Sequence, residues 1–186
     1  MLALWTDKRY HRTVDLISYT VTGLKPVLRV KEATSGDGYI CGGMFVNRVF
    51  AKFLRDTYGN DASWSDDVLE DAVRAFELDI KRRFDGKTNK TYTIRIGIQN
   101  HRPHIQDSKL RLSGAQVKGF FDPVIEEIEK LVLAQIRATK ERVKCVILVG
   151  GFGCNKYLYD RLKRAVPDDI KVSKPKSPYV RREEAY

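Results

Sequence analysis

The residues best suited to chemistry lie in three short segments. The apolar run Cys145-Val146-Ile147-Leu148-Val149 ends in Gly150-Gly151-Phe152-Gly153, and Tyr157, Leu158, Leu162 and Ala165 then follow at helical spacing. Glycines between a buried strand and a helix let the backbone pass close to a ligand, and the amides and dipole of the following helix attract a phosphate or another electron-rich group. Turn geometry alone is the competing use of the same glycines. Cys41-Gly42-Gly43 stands before a second helical pattern, where either a ligand or close packing calls for small residues. In Thr13-Val14-Asp15 a carboxylate can hold magnesium through bound water and a hydroxyl can meet a phosphate, against the plainer reading of Asp15 as a solvated charge. A dinucleotide fingerprint is excluded because the third glycine of GxGxxG falls on Lys156, and no GK[ST] marks a P-loop. His101 and His104 flank Pro103 without nearby Cys or acidic residues, which gives no expectation of a metal there.

Elements that would position these residues can be read from periodicity. Thr13 to Val21 is rich in branched and aromatic side chains and reads as a strand, ended by Gly23 and Pro26; Val27 to Val30 reads as its hairpin partner and Thr34 to Gly38 as a loop. Phe45, Val46, Val49, Phe50, Phe53 and Leu54 form one helical stripe up to Gly59. A helix from about Val68 to Phe84 has Ser65 or Asp66 as its cap and Gly86 beyond its end. Thr91 to Ile98 alternates as a half-buried strand, followed by a polar loop through His101, Pro103 and His104. Ser113-Gly114-Ala115-Gln116 has capping-box spacing, and Asp122-Pro123 reads as a second helix start within the same region. Hairpin strands, helix pairs and a late buried strand-turn-helix unit predict an α/β fold with a mixed sheet.

Composition narrows the class. A chain of 186 residues with 42% hydrophobic side chains has enough apolar material for a core, and a formal charge of +10 admits nucleic acid, an anionic membrane or a polyphosphate ligand as partners. The basic residues are spread along the chain rather than gathered in one run with interleaved aromatics, which favours solubility charge over nucleic acid. Cys41, Cys145 and Cys154 have no CxxC spacing and are expected to be reduced thiols. Met1 to Trp5 is too short an apolar start for a signal peptide or a spanning helix, so the expectation is a cytoplasmic protein without a membrane partner. The basic segment from Lys171 to Arg182 reads as a solvated, flexible end.

Taken in chain order, these segments resemble a known family. Thr13-Val14-Asp15-Leu16-Ile17-Ser18-Tyr19 looks like the second phosphate-binding strand of the heat shock protein 70 family, and Cys41-Gly42-Gly43 through Asn47-Arg48 like its next helix start. Phe76-Glu77 with Lys81 resembles its adenosine-contacting helix, Val149-Gly150-Gly151-Phe152-Gly153 its adenosine motif, and Phe121-Asp122-Pro123-Val124 a further helix start. The resemblance covers roughly residues 13–180, and the GGFG and TVDLISY forms are closest to divergent heat shock protein 70-like proteins common in filamentous fungi.

This resemblance implies the second lobe of an actin-like ATPase domain, ribonuclease H-like, with a mixed sheet flanked by helices and a smaller inserted α+β subdomain. Residues 1–12 and 181–186 then read as divergent ends. ATP or ADP with magnesium is the implied cofactor. Thr13 would lie near the terminal phosphates, Asp15 near magnesium through water, Gly43 near the ribose with Gly42 also in the nucleotide site, Glu77 and Lys81 along the adenosine, and Gly150, Gly151 and Gly153 near the base and α-phosphate. Relatives carry an Asp and a glycine triplet where this chain has Lys8-Arg9-Tyr10-His11-Arg12, and the first lobe has no counterpart here. The expected activity is therefore chaperone-type ATPase chemistry that is weak or absent in this chain alone, with a non-catalytic protein-interaction module as the alternative.

Overall fold

Five strands and one long helix make the frame that carries the glycine turn. The computed structural model describes residues 1–6, 14–39, 42–98 and 104–174. Strands β1 (Leu2–Thr6), β2 (Val14–Gly23), β3 (Arg29–Tyr39), β7 (Cys145–Val149) and β8 (Lys171–Ser173) form one sheet in the order β3-β2-β1-β7-β8. It is mixed, since β1 runs antiparallel to β2 but parallel to β7, and β7 runs parallel to β8. Leu4 stands opposite Leu16 on one side and Leu148 on the other, and all three are buried. They face α4 (Gly114–Ala138), where the Gln135 side-chain amide donates to the Ser18 hydroxyl at 3.2 Å and the Ser18 and Thr139 hydroxyls lie 3.0 Å apart.

Three expectations are corrected in this sheet. Leu2–Thr6, to which sequence reading assigns no element, is its middle strand. The segment read as a loop at Thr34 to Gly38 continues β3 to Tyr39, with register shifts between Leu16 and Ser18, between Ser18 and Tyr19, and between Val21 and Gly23. Lys171–Ser173, read as the start of a solvated tail, pairs with Cys145 to Ile147 as β8. Residues 175–182 of that tail lie outside the described residues.

Helices α1 (Met44–Tyr58) and α2 (Asp66–Leu78) pack against α4 through aromatic side chains, as does Phe84, which follows α3 (Ile80–Arg83). The Phe50 and Phe76 rings stack at 4.3 Å, and Phe120 of α4 lies 5.5 Å from Phe50. The Ser65 hydroxyl accepts from the Val68 amide, as its position predicts for a cap. The single helix expected through Phe84 is divided at Asp79, whose backbone leaves the α2 geometry. Ser113 and Gln116 form the expected capping box. Pro123 does not start a new helix, however, and sits inside α4. Val117, Phe120 and Phe121 before it and Val124, Ile125 and Ile128 after it are all buried on one stripe, and burial of that stripe outweighs a helix-interior proline penalty of about 3 kcal/mol.

A second sheet, β4-β6-β5, is built from β4 (Thr91–Arg95), β5 (Ile105–Gln106) and β6 (Lys109–Ser113). The polar loop expected after Ile98 thus holds a strand from Ile105. Asp107 and Ser108 join β5 to β6 with φ of 51° and 56°, the two positive values of a primed hairpin turn. Gly114 starts α4 where a Cβ would stand 2.2 Å from the Lys87 carbonyl oxygen and 2.9 Å from Thr88 backbone. Gly114→Ala is expected to cost about 1–3 kcal/mol by urea titration, because backbone must move to admit the methyl group.

Candidate functional site

The glycine turn divides its labour among its residues. Gly150 has φ of 86°, a left-handed conformation that favours glycine. A Cβ on Gly153 would lie 3.2 Å from the Leu148 carbonyl carbon, so its smallness serves packing. Gly151 is exposed, and a Cβ there would meet nothing within 4 Å. Phe152 turns inward instead and is buried, with its ring 6.3 Å from that of Phe121. The four glycine-turn residues form α5 (Gly150–Gly153), a single turn, and the longer helix α6 (Lys156–Ala165) begins only afterwards. Sequence reading expects one helix with free amides directly after the glycines. The Asn155 side chain occupies that position, accepting from the Leu158 amide at 3.0 Å.

Phe152 brings the second motif to the first. Gly42 and Gly43 are both buried at the start of α1, and a Cβ on Gly43 would stand 3.1 Å from the Phe152 Cβ and Cγ. The start of α1 therefore rests on the glycine turn. Cys41 lies outside the described residues.

Lys81 closes the circuit between these elements. Its side chain is buried along α1, where the ammonium donates to the Asn47 side-chain oxygen and to a Glu77 carboxylate oxygen, each at 3.0 Å. The Asn155 amide donates to the Lys81 carbonyl at 2.9 Å. Gly43, Phe152, Asn155, Lys81 and Asn47 thus link α1, the glycine turn and α3 in a closed ring of contacts. Burial pushes the Lys81 ammonium below the usual lysine range, against the hydrogen bond and charge of Glu77, which push it up. Glu77 keeps 36% of its side chain exposed, so the ammonium-carboxylate pair sits at the boundary between core and solvent.

Asp15 belongs to the same end of the sheet. It stands opposite Trp5 of β1, which in turn stands beside Val149, the residue before Gly150. Two strand spacings, about 10 Å, separate the Asp15 and Val149 backbones. By strand alternation Asp15 is on the face opposite to Leu16 and Ser18, and it is half-buried. One carboxylate fits a magnesium contact through water and is too few for direct chelation. Among the described residues no group of three His, Cys, Asp or Glu side chains is placed to hold a metal ion. Thr13, Lys8 to Arg12 and His101 lie outside the described residues. Comparison with family models and with curated proteins finds no match.

The arrangement gathers groups of different chemistry. It offers bare backbone at Gly151, a half-buried carboxylate at Asp15 and an ammonium-carboxylate pair at Lys81 and Glu77. Asn47 and Asn155, which sequence reading passes over as site residues, join its parts, and a polar residue three positions before the buried Leu158 was the available sign of a cap at Asn155. An open groove of about 520 Å³ lies elsewhere, between α2 and β4, lined by Arg74, Leu78, Arg95 and Ser108, and includes none of the expected site residues. Cys145 and Cys154 are free thiols whose pKa values are raised by burial. No helix among the described residues is long and apolar enough to cross a membrane.

Proposed function

We propose that this chain is the second-lobe part of a heat shock protein 70-like, actin-type nucleotide-binding domain. It binds ATP or ADP at the end of the sheet that carries Asp15 and the glycine turn, and its hydrolysis is weak or absent without a complementary lobe. The observation that carries this reading is Gly151. Its neighbours Gly150 and Gly153 are required by backbone conformation and packing, whereas a side chain at Gly151 would meet nothing within 4 Å, so the fold does not call for glycine there and its exposed backbone is open to a ligand. Support comes also from the ring of contacts that gathers Gly43, Lys81 and the glycine turn, three segments distant in sequence. The mixed α/β sheet is compatible with it.

In this reading the Gly151 backbone approaches the nucleotide, Glu77 and Lys81 lie along the adenosine, and Asp15 orients a magnesium ion through water. Magnesium when bound supplies charge neutralisation on the phosphates. The test is the thermal midpoint with and without magnesium ATP. Ligand at 100 times its dissociation constant adds about 2.7 kcal/mol, and a chain of this size gains about 2–4 °C per kcal/mol. A rise of about 5–10 °C is expected, and it should fall by more than half in Gly151→Val and in Lys81→Met. Gly151→Val is expected to stay within about 1 kcal/mol of the parent without ligand, since Gly151 has space. Lys81→Met takes away the cation that Asn47 and Glu77 accept from and is expected to cost about 1–3 kcal/mol, so its rise is read against its own unliganded midpoint. No rise up to millimolar ATP would overturn nucleotide binding.

A second reading, a non-catalytic protein-interaction module with a vestigial site, draws on Lys81 itself. Its ammonium is already satisfied by Asn47 and Glu77, so a nucleotide would have to compete with internal partners.

A further inference from the structure

The connection between β2 and β3 is apolar where solvent would be expected to demand polar residues. Leu24, Val27 and Leu28 are 75%, 69% and 56% exposed, and Val21 and Val30, paired across the hairpin, add further apolar surface. Cations are interleaved with them: Lys25 lies between Leu24 and Pro26, and Arg29 and Lys31 flank Val30. All three are exposed, and no carboxylate among the described residues forms an ion pair with them. The remaining charge in 24–32 is a single carboxylate, Glu32.

We infer that this hairpin tip is a docking element for an anionic lipid bilayer, with Leu24, Val27 and Leu28 entering the headgroup-acyl boundary while Lys25, Arg29 and Lys31 meet lipid phosphates and carboxylates. Interleaved apolar and cationic residues on one exposed segment match that two-part chemistry, because apolar burial and attraction to anionic lipid add together. A second copy of the chain paired along the edge strand β3 fits less well. The register shifts in the β2–β3 pair break its regular pairing, and an irregular edge disfavours continued pairing. The lone Glu32 and the formal charge of +10 also set one copy against another. Contact of this kind is peripheral and needs no spanning helix.

The experiment is sedimentation of the 186-residue chain with vesicles of phosphatidylcholine alone and with roughly one-third phosphatidylserine, at about 0.1 M salt. The chain is expected to pellet with the anionic vesicles at least ten-fold more strongly than with the neutral ones. Each cation at an anionic surface strengthens binding about five-fold, so Lys25→Glu/Arg29→Glu/Lys31→Glu, which removes three cations and adds three carboxylates, should weaken it by at least about a hundred-fold. Leu24→Ser/Val27→Ser/Leu28→Ser should weaken it at least ten-fold, and both variants should keep the parent melting temperature because the altered side chains are exposed. Lys109→Glu/Arg111→Glu/Lys140→Glu, an equal change of net charge elsewhere on the surface, should lose much less. Equal losses in the two charge variants, equal pelleting with neutral vesicles, or a dimer on gel filtration that disappears in the serine variant would each overturn the proposal.

Discussion

Phe121→Ala is expected to lower stability by about 3–5 kcal/mol, or about 6–20 °C in melting temperature for a chain of this size. Phe121 is wholly buried in α4, with ring centroids of Phe84 at 4.8 Å, Tyr157 at 6.2 Å and Phe152 at 6.3 Å. No single neighbour can collapse into the space it would leave, because each is held by a different element: α3's end, α6 and the glycine turn. The loss should therefore carry the full cavity cost rather than a relaxed fraction of it. Phe152 would also lose the ring behind it, and Gly43 rests on Phe152. The same variant should thus weaken binding of magnesium ATP, measured by titration at a temperature where the protein remains folded. Phe121→Leu, which keeps most of the volume, is expected to cost less than about 1.5 kcal/mol and to preserve the nucleotide effect. A cost below about 1 kcal/mol for the alanine variant would show that the aromatic chain does not support the turn.

Legibility of the fold depended on whether the governing interaction was local. The Ser65 and Ser113 caps are visible because a hydroxyl and an amide three residues on decide them. The α1 stripe is visible for a similar reason, since its apolar side chains recur at helical spacing. β1 is not visible: Leu2-Ala3-Leu4 has little strand preference of its own and becomes a strand because β2 and β7 supply hydrogen bonds from both sides. Pro123 misleads in the opposite direction. Its ring forbids one helical hydrogen bond, but three buried apolar residues before it and three after it on one stripe keep α4 continuous. β5 and β6 escape notice because Asp107-Ser108 makes a tight turn that is usually advertised by Asn-Gly.

For the candidate site, residue types were legible but their partners were not. Gly150, Gly151 and Gly153 are equivalent as letters, and only the backbone angle of Gly150, the Leu148 contact of Gly153 and the open space at Gly151 separate their roles. Lys81 could be placed one helical turn from Glu77 by spacing. Nothing in spacing, however, placed Asn47, 34 residues earlier, against the same ammonium. Thr13, which the family resemblance puts near the terminal phosphates, lies outside the described residues, so the phosphate end of the reading rests on Asp15 and its row in the sheet.

The second large effect is expected at Arg161, which joins α6 to α4 beside this turn. Its guanidinium donates to both Glu129 oxygens at 2.8 and 2.7 Å and to Asp122 at 2.9 Å, with Arg161 19% and Glu129 16% exposed. Arg161→Met should cost about 3–5 kcal/mol, because two partly buried carboxylates lose their shared cation while remaining desolvated. Removing a carboxylate as well, in Arg161→Met/Glu129→Met, should recover part of that loss, which a double-mutant cycle would measure. The pH dependence gives an independent check. Burial works against the Asp122 carboxylate, but Lys118, Tyr157 and Arg161 together hold its pKa below the ordinary 3.8. The stability contributed by this depressed carboxyl is fully present well above pH 3.8 and is lost as pH falls below that value through the folded-state pKa. Lys118 and Tyr157 stay in place in Arg161→Met and Arg161 is the weakest of the three influences, so the folded-state pKa moves back only slightly. The variant should be less stable near neutrality yet lose slightly less on acidification. Melting temperatures from about pH 6 to about pH 2 should therefore draw only slightly together between parent and variant. A gap that does not narrow at all would mean that Arg161 contributes through Glu129 and through packing of its alkyl chain rather than through its charge on Asp122.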